Sequence, residues 1–152
     1  MPTGRIIKAQ VQCGMLLLIL LALASPATGQ TITPPGAPWV WVSLGQAKVK
    51  AEVVSTPHEL YQGLSYRANL PQGKGMLFVL PEVAHQVFCM RGMRFPLDLI
   101  WIVDGRVAGI TRNVPPTFPG ELPSPRPVNY VLEVPGGFAA KHGIEAGDRV
   151  KW

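Results

Sequence analysis

Cysteine is nearly absent from this chain: its 152 residues hold only Cys13 and Cys89. Cys13 lies ahead of an apolar N-terminal run and would leave with it. A single remaining thiol closes no internal disulfide, so the fold has to rest on its hydrophobic core. Long apolar runs are missing as well. The longest, residues 15–24 (MLLLILLALA), falls well short of the roughly 20 residues a spanning helix needs. Clustered charge is the third absence. The 14 Lys and Arg outnumber the 9 Asp and Glu, yet they are scattered, which argues against a nucleic-acid face. No internal repeat is found.

The short apolar run has the surroundings of a secretory signal. Arg5 and Lys8 precede it with no acidic residue, and it ends in Ala22-Leu23-Ala24, an A-x-A cleavage pattern. Residues 1–24 are therefore expected to be a cleavable signal peptide, an uncleaved N-terminal anchor being the weaker alternative. Export to the periplasm or to the medium is expected, with the membrane met only through the signal. Loss of Arg5 and Lys8 lowers the formal charge from +5 to +3. Residues 25–38 (SPATGQTITPPGAP) carry Pro, Gly and Thr without an apolar period and read as a leader. Residues 39–152 remain for one domain.

That domain reads as mostly β, a small α+β fold. Trp39–Leu44 alternates bulky apolar residues. In Lys48–Val54, Val49, Ala51 and Val53 share one face, with Lys48, Lys50 and Glu52 on the other. Thr56-Pro57-His58-Glu59 is a capping box that opens a two-turn helix, closed near Gly63. Residues 75–80, 85–90 and 97–103 (LDLIWIV) read as strands, the last apolar enough to be covered on both faces. Asp104-Gly105 predicts a hairpin into Arg106–Thr111. The six prolines of residues 115–127 predict a surface loop, which either covers a sheet edge or docks a protein partner. Tyr130–Val134 and Arg149–Trp152 are further strands, and Gly136-Gly137 opens a second short helix through His142. The expected architecture is a compact antiparallel barrel or sandwich of about seven short strands with two short helices.

No complete catalytic set is present. Asp98, inside the most apolar strand, is the leading polar residue, because a carboxylate there must be paired or hydrogen-bonded. It is read either as part of a ligand site or as a structural group, paired with Arg67, Arg91 or Arg94 or capping loop amides near Pro96. Glu133 and Asp148 also sit in or beside apolar strands. Two such carboxylates in one cleft would allow acid–base hydrolysis. His85–Met93 gathers ligands suited to Cu(I), but strand geometry spreads them apart, and packing is the stronger reading. Cys89 is either a nucleophile, with His58, His85 or His142 as base, or a small buried hydrophobe. His58-Glu59 lacks the second histidine of a zinc-protease motif, Gln62 standing in its place. Gly73-Lys74-Gly75 is too short for a phosphate loop.

Six stretches occur in the order of a known family: EVVSTPHELYQGLSYRANLP, GKGMLFVLP, FCMRGMRFPLDLIWI, DGRV, YVLEVPGG and HGIEAGDRV. Through them, residues 48–151 resemble the domain of unknown function 192 (DUF192). The resemblance implies a compact, mostly β domain, often exported in bacteria, and no established activity. It draws attention to Arg67, Asp98 and Glu133, which packing explains less readily than the matched glycines and apolar residues. Cys89 and Gly92 depart from the family's usual tryptophan and asparagine. The combined expectation is a non-catalytic binding or accessory module with a polar patch at Arg67, Asp98 and Glu133, and with Arg91 beside it. The rival is a cell-envelope hydrolase using Asp98 with Glu133 or Asp148. The partner is an unspecified small molecule or protein, and no metal or cofactor is indicated.

Overall fold

A computed structural model describes residues 38–152. The expected signal peptide, and all of the expected leader except Pro38, lie outside the described residues. The elements run β1 (Trp39–Leu44), β2 (Ala47–Val54), α1 (Pro57–Gln62), β3 (Lys74–Ala84), β4 (Val87–Cys89) and β5 (Leu97–Val103). They continue with β6 (Arg106–Val114), β7 (Glu121–Pro123), β8 (Val128–Pro135), α2 (Phe138–Lys141) and β9 (Val150–Lys151).

Seven strands form one sheet in the order β6-β5-β8-β3-β2-β1-β9, and β4 pairs with β7 separately. The large sheet curls until its outer strands meet at one end. There Arg106 bridges Arg149, Val107 N–H donates to Asp148 O at 2.9 Å, and Val150 N–H donates to Gly105 O at 2.8 Å. The fold is a half-closed barrel, joined at that end by one bridge and these hydrogen bonds.

The local signals explain the elements. Alternation on β1 and β2 sends Val42, Leu44, Val49 and Ala51 into the inside of the curl, where they meet Ile100, Ile102, Leu132 and Val134. Thr56 and Glu59 form the reciprocal capping box that opens α1. The Asp104-Gly105 turn takes positive φ at both residues (52° and 65°), the geometry of a two-residue hairpin with the right twist. All seven residues of β5 are buried, because its two faces serve two cores. Leu97, Leu99, Trp101 and Val103 point outward into a second cluster with Phe78, Phe88, Met90 and Val131. That outer cluster is roofed by Leu64 from the turn after α1 and by Leu122 of β7.

Three features depart from the expected pattern. The β2–β3 pairing is parallel, since α1 and its loop carry the chain back across the sheet. The proline-rich loop contributes a strand after all. Leu122 is apolar enough to bury against the outer core, and it brings Glu121–Pro123 alongside β4. β3 runs on through Pro81 to Ala84, its register against β8 shifting between Val79 and Ala84.

Gly75 is fixed by packing. A Cβ there would stand 2.8 Å from the Glu133 carbonyl oxygen and 2.9 Å from Val49 Cγ1. Neither neighbour is a flexible side-chain end. Gly75→Ala is expected to lower stability by about 2–3 kcal/mol, read as a lower urea midpoint at unchanged slope.

Candidate site: a buried carboxyl beneath an arginine–tyrosine rim

Strand register places the polar residues. Asp98 pairs with Val134 and Leu99 with Glu133, so Asp98 and Glu133 project from opposite faces of the sheet. Asp98 is wholly buried beside the inner core. Its Oδ1 accepts from the backbone N–H of Asn113 at 2.6 Å and of Gly137 at 3.0 Å, and its Oδ2 from Ala139 N–H at 2.7 Å. The N-cap of α2, Gly137, has no side chain to cap the helix, and Asp98 supplies the missing acceptor. Of its open readings, the structure places Asp98 in the capping one. It pairs with none of Arg67, Arg91 or Arg94.

Arg67 binds Glu52 instead, at 2.7 and 3.1 Å through both guanidinium NH2 groups. Glu52, Met76, Glu133 and Leu99 form one cross-strand row on the outer face. The expected patch is therefore split: Arg67 and Glu133 share the outer face, and the sheet separates them from Asp98. The acid–base pair of Asp98 and Glu133 is not assembled. Asp148 is engaged elsewhere, accepting from Glu145 N–H at 2.9 Å in the turn before β9.

Glu133 is the exceptional group. It is 6% exposed, and burial alone pushes its carboxyl up to about 8, with no hydrogen bond or neighbouring charge opposing the shift. It lies at the foot of a recess with about 30 Å³ of enclosed space, whose open mouth is walled by Leu60, Leu64, Phe78, Phe88 and Met93. Among the described residues, Glu133 is the only carboxylate lining it. Arg91 forms the rim. Its guanidinium stacks on Tyr61 at 4.0 Å and donates to the Tyr61 hydroxyl and, at 3.2 Å, to the Tyr61 carbonyl. Arg91 Nε is buried without a partner. Ser65 Oγ donates to the Arg91 carbonyl at 2.8 Å, tying the turn after α1 to the loop after β4.

Cys89 lines the same pocket, half-buried, but none of His58, His85 and His142 does. Met90 packs in the outer core and His85 is exposed. No three His, Cys, Asp or Glu side chains gather as a metal set among the described residues. A neutral carboxyl both donates and accepts one hydrogen bond, so the arrangement offers a polar contact at the foot of an apolar recess. Tyr61 and Ser65 had carried no signal in the sequence. Their roles depend on Arg91, 30 and 26 positions away.

These features define a small, curled β domain with one polar-footed pocket on its outer face. Residues 40–152 match the model of DUF192, described as an uncharacterized ACR, and the chain belongs to that family. No functionally curated protein matches it. A crystal structure of a protein of unknown function from Novosphingobium aromaticivorans DSM 12444 is similar, at 34% identity and a TM-score of 0.74. The match covers 85% of this chain and 94% of that one. A second, from Sinorhizobium meliloti 1021, described as a "putative transcription regulator", is 30% identical with a TM-score of 0.72. It covers 76% of this chain and 95% of that one.

Proposed function

We propose that the chain is an exported, non-catalytic binding module whose ligand seats a small uncharged polar group, an amide or hydroxyl on an apolar body, against Glu133. One observation carries this reading: a buried carboxyl with no hydrogen-bond partner faces a pocket with apolar walls. Its oxygens make no hydrogen bond within the protein yet stay open to the recess, and a ligand that both accepts and donates would satisfy them. The enclosed space of about 30 Å³ has room for about two water-sized groups, which suits a terminal amide or hydroxyl whose apolar body stays in the open mouth. Export is supported by the signal pattern of residues 1–24. Hydrolysis finds less support, since no second carboxylate shares the pocket.

The test is a panel of low-mass amides, alcohols, amines and carboxylates, read by amide chemical shifts of the labelled domain. Neutral amides or alcohols should move the signals of Ser65, Arg91 and Glu133. Glu133→Gln, which keeps a donor and an acceptor, should retain binding, and Glu133→Leu should weaken it by about ten-fold or more. Shifts that persist unchanged in Glu133→Leu, or a panel that moves none of these signals, would contradict the proposal.

A further inference from the structure

A second surface is built from different residues, away from Glu133. On the outer face of β1 and β2, cross-strand pairing sets Trp41 beside Lys50 and Lys50 beside Lys74. In the next row Ser43 stands between Lys48 of β2 and Lys151 of β9. Trp39 and Trp41 alternate onto this face and are 47% and 61% exposed. The ammonium groups of Lys50 and Lys74 lie 5.8 and 5.1 Å from the Trp39 ring centre. The nearby carboxylate, Glu52, is already held by Arg67. The result is two exposed indoles among four lysines, with the nearby carboxylate already paired.

We infer that this face docks on an anionic phospholipid surface. Tryptophan settles at the boundary between headgroups and acyl chains, where its ring is apolar and its N–H stays wet. Lysines add attraction to anionic headgroups while their stems lie over apolar surface. Trp39 and Trp41 stand two residues apart on one strand, a backbone spacing of about 7 Å. They lie on an open sheet face and not in a backbone-tracking groove of the kind that binds single-stranded nucleic acid. Pro38, the first of the described residues, adjoins Trp39 at this edge of the domain. Docking of the folded domain goes beyond the sequence-based expectation that it meets a membrane only during export.

Both hydrophobic clusters are built from residues 42–150, so the form beginning at Ser25 folds on its own. That form is sedimented with vesicles of phosphatidylcholine, alone or with about one-third phosphatidylglycerol, at about 0.05 and about 0.5 M salt. It should bind the anionic vesicles at low salt, and brominated lipid should quench its tryptophan emission. High salt should release it. Lys48, Lys50, Lys74 and Lys151 changed together to Gln should weaken partition at least a hundred-fold, at about five-fold per lysine. These are surface changes that leave both cores intact, so loss of binding would not reflect unfolding. Trp39→Ala with Trp41→Ala should abolish the quenching. The inference is overturned by absence of partition, by equal partition of the lysine variant, or by binding to a single-stranded oligonucleotide while vesicles stay free.

Discussion

Asp98→Ala destabilises the domain by about 4–5 kcal/mol, the largest single loss expected of a polar residue here. Its carboxylate is wholly buried and accepts three backbone N–H donors from three segments: the end of β6, the β8–α2 connection and α2 itself. Removing it leaves the buried Ala139 N–H without an acceptor and unties the part-buried donors of Asn113 and Gly137. Asp98→Asn keeps one acceptor oxygen but turns an amide NH2 toward an N–H, and should cost about 2–4 kcal/mol. Urea unfolding checks both values. A ligand-site role predicts the reverse, a nearly unchanged midpoint with lost binding, because a binding carboxylate does not hold three pieces of backbone together.

Glu133 behaves in the opposite sense, and its effect depends on pH. Its folded-state value is raised to about 8 by burial, while an unfolded glutamate ionises near 4.3. Between these values the folded state binds more protons than the unfolded state, so stability falls as pH rises. The contribution is fully present below the unfolded value and is lost as pH passes through the folded one. Taken in full, the shift is worth about 4–5 kcal/mol. Glu133→Gln has no proton to lose. It should gain on the native protein by that amount from about pH 4 to about pH 9, or about 15–20 °C in melting temperature at the alkaline end. Parallel melting curves across that range would show the gap opening. A constant gap would mean that Glu133 ionises freely in the folded protein.

The two carboxylates show how far the sequence could be read. Both stood out for the same reason, a charge within an apolar strand, and both proved buried. Their separation onto opposite faces was not legible, because it depends on β5 and β8 pairing Leu99 with Glu133. A shift of one residue would exchange the faces. Near-neighbour signals were far more readable. The Thr56–Glu59 capping box, the Asp104-Gly105 turn and the two-faced burial of β5 each follow from residues within a few positions of one another. The parallel β2–β3 pair and the β4–β7 ribbon did not. Both join segments separated by a crossover or a long proline-rich loop, and no local pattern records which strand a distant one will meet. For the same reason the sequence offers Arg67 as one of three candidate partners for Asp98, whereas Glu52, on a strand read as half-exposed, binds it.

The binding role rests on Glu133 being an acid that burial keeps protonated at the foot of the recess. A carbon-detected NMR titration of the glutamate side-chain carboxyls reads this. One carboxyl is expected with its midpoint near 8, absent from Glu133→Gln and shifted by the amide or alcohol that binds. Every glutamate titrating in the ordinary range near 4.3 would contradict it.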